Sequence, residues 1–301
     1  MSLAPRAVLV HRRTAYAQTV ARHGTPGAAD FFLRTRGRSL AELEEADEQQ
    51  RRALAAVAAA VPPDWRTGTV ERADLPRFLF APEDVVVVVG QDGLVANVAK
   101  HLAGQVVVGI DPAPGRNAGV LVPHRAADTA DLLRRSVSGA TCELRTMVRA
   151  RTDDGQELHA LNEVFVGHRS HQTARYVLTA GERREEQASS GVVTGTGTGA
   201  TGWLASLARG LGRGPGGAAL PGPTDPALAW FVREAWPSRT TGADLTAGSL
   251  TGPPGADPLT VEVLSDELVV FGDGLEDDRL TLSRGQRMHL DVSPRRLALL
   301  R

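Results

Sequence analysis

The hydrophobic positions in the first half of the chain fall into short apolar runs separated by stretches with helical spacing. The apolar runs are Ala7–Val10, Val85–Val89 and Gln105–Ile110, and they show almost no polar alternation. Such runs are typical of strands that are buried on both faces of a parallel sheet. Thr14–Arg22 and Ser39–Val61 have helical periodicity. This alternation of strands and helices predicts an α/β domain with a parallel sheet.

The second half of the chain shows a different pattern, in which apolar and polar positions alternate. Residues 141–150, 159–167 and 174–181 are the clearest examples, and five more strand-like runs follow after residue 259. Strict alternation is typical of half-buried strands in antiparallel sheets. We therefore predict three segments: an α/β domain over 1–135, a β-rich domain over 136–283, and a C-terminal segment over 284–301 that returns to the first domain.

A glycine-containing turn, Gly90-Gln91-Asp92-Gly93, connects the run of five valines to a helical stretch. In open α/β sheets, ligands bind at the carboxyl ends of the strands, and the N–H groups of such a turn suit a phosphate. Asp92 would repel a phosphate directly. Its carboxylate therefore indicates either a base for an attacking hydroxyl or a group that holds a metal ion. Because Asp-Gly is also a common turn pair, a purely structural turn is the alternative.

Composition narrows the class of protein. The chain has 301 residues, 42% of them hydrophobic, and a formal net charge of -1, which does not favour a nucleic-acid partner. No apolar run approaches the roughly 20 residues that a membrane span needs. The single cysteine, Cys142, excludes an internal disulfide and indicates a reducing compartment, for which we expect the cytoplasm.

The sequence contains one lysine, Lys100, which lies between Ala99 and His101. A Walker P-loop requires lysine between glycine and serine or threonine, so that class of NTPase is excluded. The motif set of protein kinases is also missing.

A second segment rich in small residues, Ala188–Ser206, matches the dinucleotide pattern Gly197-x-Gly199-x-x-Gly202. The match is weak, because Val192-Val193 is a poor strand and no acidic residue lies at the expected distance after it. The segment does offer hydroxyls, among them Thr194, Thr196, Thr198 and Thr201, followed by the large aromatic Trp203. These groups suit a base or a ribose, and a simple connecting loop is the alternative.

Two other polar groups interrupt the strand-like runs. Asn162-Glu163 lies between Leu161 and Val164, either at a strand end that faces water or in position to bind the two hydroxyls of a ribose. His168 and His171 belong to an HRSH sequence without a clear third ligand, which favours a surface loop over a metal site.

Taken together, these segments resemble the NAD kinase family, within the larger group that includes diacylglycerol and sphingosine kinases. The family pattern is Gly-Gly-Asp-Gly-Thr after a strand, then Asn-Glu or Asn-Asp, then Ser-Gly and Thr-Pro-Thr-Gly-Ser-Thr-Ala-Tyr. The counterparts here are, in chain order, Gly90-Gln91-Asp92-Gly93-Leu94, Asn162-Glu163, Ser190-Gly191 and 196–203. Their order and spacing agree with the family, and the third motif and the loop GIDPAPGRNAGVL are closest in style to its mitochondrial-type branch.

The resemblance implies a Rossmann-like domain, a β-rich domain and oligomers, either dimers or tetramers. The implied reaction transfers the γ-phosphoryl group of ATP, with Mg²⁺, to the 2′-hydroxyl on the adenosine side of NAD. Asp92 would be the base or would organise the metal, and Gly90, Gln91 and Gly93 would form the phosphate loop. The implied NAD-binding residues are Asn162, Glu163, Thr196, Thr198, Gly199, Thr201 and Trp203.

Two departures from the family pattern fall on the side of the phosphoryl donor. Gln91 replaces a glycine, which would cost about 1–2 kcal/mol if the backbone there needs positive φ. Leu94 removes a hydroxyl from the phosphate loop. Two alternatives to NAD kinase follow: a kinase of the same fold for another nucleoside, sugar or lipid hydroxyl, and a catalytically impaired protein that binds NAD or another nucleotide.

Overall fold

The computed structural model describes residues 4–115, 119–210 and 220–301. The chain divides into two compact units. We call Met1–Glu143 together with Ala298–Arg301 the N-terminal unit, and Leu144–Leu297 the β unit. The predicted segments placed their boundaries after residues 135 and 283, whereas the compact units divide the chain after residues 143 and 297.

The N-terminal unit contains parallel strands and most of the helices. Its elements are β1 (Arg6–His11), α1 (Ala15–His23), α2 (Pro26–Arg34), α3 (Leu40–Ala59), β2 (Arg66–Glu71), β3 (Asp84–Val89), α4 (Asp92–Ala99), β4 (Val106–Ile110) and α5 (Thr129–Val137). The strands lie in the order β2-β1-β3-β4, and each neighbouring pair is parallel. Near the C-terminus, Ala298 and Leu299 pair in parallel with β4, as expected of a segment that returns to this sheet.

The valine run forms the centre of this sheet. Every residue of β3 is buried, and β3 pairs with β1 on one side and with β4 on the other. Val85, Val87 and Val89 pack in one cluster with side chains of β1, α3 and α5. Because β3 is covered on both faces and on both edges, it has no solvated side, which explains the lack of polar residues over Val85–Val89. The predicted buried strand is therefore confirmed.

The β unit is built almost entirely from antiparallel strands. Its elements are β5 (Cys142–Thr152), β6 (Glu157–Ala160), β7 (Glu163–Gly167), β8 (Ala174–Ala180), β9 (Arg183–Ser189), β10 (Val192–Gly195), α6 (Trp203–Gly210), β11 (Ala227–Val232), β12 (Ala247–Thr251), β13 (Leu259–Val263), β14 (Glu267–Gly272), β15 (Leu275–Ser283) and β16 (Arg287–Leu300). One sheet has the order β12-β11-β10-β7-β14-β15. The other strands of the unit follow the order β6-β5-β16-β13-β8-β9.

The apolar side chains of the two strand groups form one shared core. Val164 and Val166 of β7 belong to it, together with Tyr176 of β8 and Trp230 of β11. Along β7 the side chains alternate, so that Phe165 lies instead in a second cluster with α6. Both faces of β7 are therefore apolar: one packs into the shared core and the other packs against α6.

The mixed α/β architecture with an additional antiparallel β sheet agrees with the predicted fold class. The sequence analysis did not identify α2, β9 or β11, and it treated Val192-Val193 as a poor strand although β10 includes both residues. For the strand-like run over 159–167, the sequence left open whether Asn162-Glu163 marks a strand end; in the structure β6 ends at Ala160 and β7 begins at Glu163. None of the described helices has the length and apolar character needed to cross a membrane.

A buried ion pair fixes the start of the parallel sheet. The Arg6 guanidinium donates to both carboxylate oxygens of Asp84, at 2.8 and 2.5 Å, and the Ala81 N–H donates to the same carboxylate at 2.7 Å. The Asp84 side chain is fully buried. Its charge therefore depends on Arg6 for compensation, and the same contact raises the pKa of Arg6.

Replacing Arg6 tests this dependence. We expect Arg6→Met to lower the free energy of unfolding by about 3 kcal/mol, because it leaves a buried carboxylate without a counter-charge. Arg66, the register partner of Arg6 on β2, pairs with Glu83 at 3.1 Å where both side chains are exposed. Arg66→Met should therefore cost less than about 1 kcal/mol. Urea unfolding of both variants measures the difference, and equal losses would contradict the burial argument.

Candidate functional site

The turn after β3 has the predicted strand–turn–helix geometry. Gly90 follows the end of β3, and its N–H donates to the Ile110 carbonyl at the end of β4 at 3.0 Å. Gln91 is the N-cap of α4, and its carbonyl accepts the Leu94 N–H at 2.8 Å. Asp92 is therefore the first residue of a helix that begins at the carboxyl end of a central parallel strand, where ligands of open sheets bind.

The Asp92 carboxylate is held by the loop that follows β4. Its two oxygens accept the N–H groups of Val120 and Leu121, at 3.1 and 2.8 Å. This loop runs very close to β4, because a Cβ added to Gly109 would lie 1.9 Å from the Leu121 carbonyl oxygen. Only glycine at position 109 permits that approach. The half-buried Asp92 side chain consequently has a fixed position.

Gln91 causes no backbone strain. Its φ of -116° and ψ of 165° are extended values that any residue adopts. Its exposed side chain accepts a hydrogen bond from Arg12 Nη2 to Oε1 at 3.3 Å. A Cβ at the neighbouring Gly93 would meet no atom within 4 Å. The cost expected for a side chain in place of glycine at position 91 therefore does not arise in this conformation.

Leu94 is buried and packs against the turn. A Cβ at Gly90 would lie 2.9 Å from the Leu94 Cδ2, so Gly90 makes room for this side chain. Beside the turn lies a cavity of about 230 Å³. Gly90 and Gln91 line it, together with Arg12 and Thr14 before α1, Gln49 and its neighbours on α3, and the loop after β4. Its polar lining consists of amides, a hydroxyl and one guanidinium. Such a set can bind an anion without a competing carboxylate.

In the β unit, the Asn162-Glu163 pair lies directly against the threonine and glycine segment. The Thr196 N–H donates to the Asn162 carbonyl at 2.9 Å, and the Thr196 hydroxyl donates to the Leu161 carbonyl at 2.5 Å. A Cβ at Gly199 would lie 2.5 Å from the Asn162 oxygen, and one at Gly195 would lie 2.7 Å from it. The structure thus brings together two of the segments that the sequence analysis singled out.

Asp273 holds the same stretch from the other side. Its carboxylate accepts the N–H groups of Leu161 and Asn162, at 2.9 and 2.7 Å, and its own N–H donates to the Glu163 carbonyl at 3.0 Å. The sequence analysis did not assign a role to Asp273. The available signal was an Asp-Gly pair directly after a strand, and here Asp273 has a positive φ of 54°. These bonds satisfy backbone donors where the ladder is interrupted.

The side chains of Asn162 and Glu163 are half-buried and form no hydrogen bond or ion pair with the described residues. Burial raises the pKa of Glu163 to about 7, and the nearby negative charge of Asp273 contributes to the rise. An amide and a carboxyl group without protein partners can accept the hydroxyl protons of a sugar. The side chains of this pair are therefore available to a polar ligand.

The remaining predicted residues line the threonine and glycine segment and the start of α6. The buried Thr198 hydroxyl accepts a hydrogen bond from Arg145 Nη1 at 3.2 Å, and Thr201 donates to the Thr198 carbonyl at 3.3 Å. Arg145 itself is buried, and the sequence analysis missed it. The sequence feature that could have identified Arg145 is a charged residue next to the apolar positions of β5. A buried guanidinium beside Thr198 places positive charge next to the segment.

Trp203 packs onto the sheet instead of standing free. Its ring stacks on Phe165, with a centroid distance of 5.9 Å and an interplanar angle of 23°. The guanidinium carbon of Arg233 lies 5.5 Å from the centre of the Trp203 ring. Arg233 was also missed by the sequence analysis, since it follows a strand that the analysis did not identify. A base that contacts the Trp203 indole would therefore share the ring with the Arg233 guanidinium.

The dinucleotide pattern at Gly197 lies in the wrong context for a Rossmann fingerprint. The strand before it, β10, is antiparallel to both of its neighbours, β7 and β11. The fingerprint requires a parallel βαβ unit, because the pyrophosphate lies over a helix N-terminus there. The sequence analysis disfavoured this interpretation, although for a different reason.

Within the described parts of the chain, no group of three or more histidine, cysteine, aspartate or glutamate side chains could hold a metal ion. His168 and His171 lie in the connection between β7 and β8, as the loop interpretation predicts. The carboxylates that could contribute single oxygen ligands are Asp92 in the N-terminal unit and Glu163 in the β unit. A metal at either would need additional ligands from water or from a phosphate, as is usual for Mg²⁺.

Comparison of the sequence with protein-family models and with curated proteins finds no significant match to either.

The raised pKa of Glu163 predicts how the free energy of unfolding changes with pH. A folded-state pKa of about 7, against 4.5 for a free glutamate, means that the folded chain binds a proton that the unfolded chain releases. The wild-type chain therefore loses stability as the pH rises from 4.5 to 7, whereas Glu163→Gln does not. We expect the variant to gain about 2 kcal/mol relative to wild type between pH 5 and pH 8.

Urea unfolding at the two pH values measures this gain. Glu182→Gln, at an exposed turn, is the control and should change the free energy of unfolding by less than about 0.5 kcal/mol at both. A gain for Glu163→Gln that does not change between pH 5 and pH 8 would contradict the raised pKa.

Gly199 allows a test of the contact between the two segments. Gly199→Ala must displace the Asn162 carbonyl, and we expect it to weaken binding of any ligand held by Asn162 by about tenfold or more. Gly210→Ala introduces the same methyl group into open space within the β unit and serves as the control. Chemical-shift changes at Asn162 in the Gly199→Ala spectrum report the displacement, and an unperturbed Asn162 would contradict it.

Proposed function

We propose that this chain is an NAD kinase, which transfers the γ-phosphoryl group of ATP to the 2′-hydroxyl on the adenosine side of NAD and gives NADP. In this proposal the N-terminal unit is Rossmann-like and the β unit binds NAD. The observation that carries it is the contact of Asn162-Glu163 with Thr196 and Gly199. These segments lie far apart in the sequence, and the resemblance assigns both to the same ligand.

The Asn162-Glu163 pair would bind the hydroxyls of the NAD ribose. Its backbone is fixed by Asp273 and Thr196, whereas its side chains have no partner among the described residues. A fixed backbone with free polar side chains reduces the entropy that is lost when a ligand is bound. Thr198, Thr201 and Trp203 would line the base pocket, and Arg145 behind Thr198 would add positive charge near the pyrophosphate.

Asp92 would act on the attacking hydroxyl, either as the general base or through Mg²⁺. Its carboxylate is fixed by two N–H donors, so its position does not depend on the ligand. When bound, Mg²⁺ would neutralise the phosphates of ATP, with Asp92 as the only protein ligand that we assign. Positioning of this kind supplies most of the catalysis in phosphoryl transfer.

The donor phosphates would bind along Gly90, Gln91 and Gly93. The extended backbone at Gln91 keeps this loop open, and Arg12 beside it would supply charge that the family pattern does not provide. The departures at positions 91 and 94 are therefore compatible with a donor site. We further expect a homo-oligomer, as the resemblance implies, and a location in the cytoplasm, as the single cysteine indicates.

The test is the formation of NADP from NAD, ATP and Mg²⁺, followed with an NADP-specific dehydrogenase. We expect Asp92→Asn to lower kcat by at least about 100-fold while NAD still binds, because the neutral amide can neither accept the proton nor hold the metal. The matched control is Asp128→Asn, since the exposed Asp128 carboxylate also accepts a backbone N–H, from Arg125 at 3.2 Å. The control should retain activity.

Asp92 also holds the loop at Val120, so folding must be measured in parallel. Loss of activity in an Asp92→Asn variant with wild-type unfolding behaviour supports a role in the reaction. Full activity of the variant would refute that role. Absence of NADP with the wild-type chain would refute NAD kinase, and transfer to another hydroxyl compound would then identify a related kinase. Tight NAD binding without any transfer would identify a binding protein.

A further inference from the structure

A polar cavity in the β unit lies outside every segment that the proposed function uses. Its volume is about 580 Å³, within the range of pockets for small organic ligands. Three connections enclose it: residues 168–173 between β7 and β8, residues 264–266 between β13 and β14, and the turn at Arg284 after β15. The first of these contains the HRSH sequence.

Two of the three connections are fixed by hydrogen bonds to each other and to β8, in which Arg175 lies. The Arg175 N–H donates to the Ser265 hydroxyl at 2.9 Å, and the Leu264 N–H donates to the Arg175 carbonyl at 3.0 Å. The Arg284 Nε–H donates to the Leu264 carbonyl at 2.9 Å, and its backbone N–H donates to the Asp266 carbonyl at 3.2 Å. These bonds set one side of the cavity before any ligand binds, which favours affinity.

Positive charge is concentrated in this cavity. Arg169, Arg175 and Arg284 all line it. The guanidinium groups of Arg169 and Arg175 form no hydrogen bond or ion pair with the described residues. Like charges in one cavity repel one another, and each guanidinium offers a fork of donors that matches a phosphate or a carboxylate. An anion bound here would relieve the repulsion and use these donors.

His168 adds an imidazole ring to the cavity wall. Its Nδ1 accepts the Ser170 N–H at 3.2 Å. The Ser170 hydroxyl also contacts Nδ1, at 3.0 Å. The HRSH sequence therefore orders its own loop, which places His168 and Arg169 at the cavity wall.

Two carboxylates line the same cavity, Asp266 and Glu267, and neither forms an ion pair with the arginines within 4 Å. A bare phosphate would be repelled by them, but carboxylates are good acceptors for sugar hydroxyls. Guanidinium groups for a phosphate and carboxylates for hydroxyls together define one class of ligand. We propose that this cavity binds a phosphorylated sugar, in a site distinct from the one formed by Asn162 and Glu163.

Titration calorimetry with the full chain tests the proposal, using ribose 5-phosphate, glucose 6-phosphate and AMP as probes, and ribose and inorganic phosphate as partial probes. We expect at least one phosphorylated sugar to bind more tightly than either partial probe. The double variant Arg169→Gln/Arg175→Gln should weaken that binding by about tenfold or more, because two charged donors are lost. The matched control is Arg239→Gln/Arg279→Gln, at exposed arginines of the same unit that do not line the cavity, and it should bind as wild type does.

A second variant separates the roles of the two kinds of group. Asp266→Asn/Glu267→Gln should weaken binding of the phosphorylated sugar, because the carboxylate acceptors for its hydroxyls are lost. The same variant should strengthen binding of inorganic phosphate, because the negative charges that repel it are removed. Binding of none of the three probes would overturn the proposal, as would binding that the Arg169/Arg175 variant leaves unchanged. None of these measurements depends on kinase activity. Their outcome can therefore be interpreted whether or not the chain is an NAD kinase.

Discussion

Two aspartate carboxylates, one in each unit, each bind a pair of consecutive backbone N–H groups, and the candidate residues of each unit depend on one of them. Asp92 binds the N–H groups of Val120 and Leu121, and Asp273 binds those of Leu161 and Asn162. In both places the chain leaves regular structure, so its donors have no ladder or helix partner. Carboxylates satisfy such donors with strong, charge-assisted hydrogen bonds. The same contacts position the residues to which we assign chemistry.

This arrangement gives Asp92 a structural role in the loop and, in the proposed reaction, a second role toward the ligand. Its oxygens accept from the loop, and in the proposed reaction one of them would also accept a proton or bind a metal. A carboxylate has about four lone-pair positions, so two N–H contacts leave capacity for a third partner. The contacts also fix the orientation of the carboxylate. An aspartate that holds a loop is thus already preorganised for a reacting hydroxyl, which is what phosphoryl transfer requires of the protein.

Glu163 illustrates a different balance. Its neighbour Asn162 is anchored through backbone atoms, whereas the Glu163 carboxyl is half-buried near the negative charge of Asp273. The structure thus tolerates a costly group at the end of β7, where an apolar residue would be more stable. Unfavourable burial of an ionisable group that faces no protein partner is typical of binding sites.

The sequence by itself determined the elements whose signals are local. The valine run, the turn at Gly90 and the helix after Asp92 follow from burial and turn chemistry within one segment. Ser39, a residue type that favours helix N-termini, likewise caps α3 and accepts the Ala41 N–H at 3.1 Å. Only the tertiary structure decided the break between β6 and β7, because Asp273, far along the chain, binds the N–H groups there. Strand β9 is also a tertiary result, because its charged sequence pairs at a sheet edge with β8 alone. Long-range hydrogen bonds of this kind leave no periodicity in the sequence, and so the pattern of residues could not predict them.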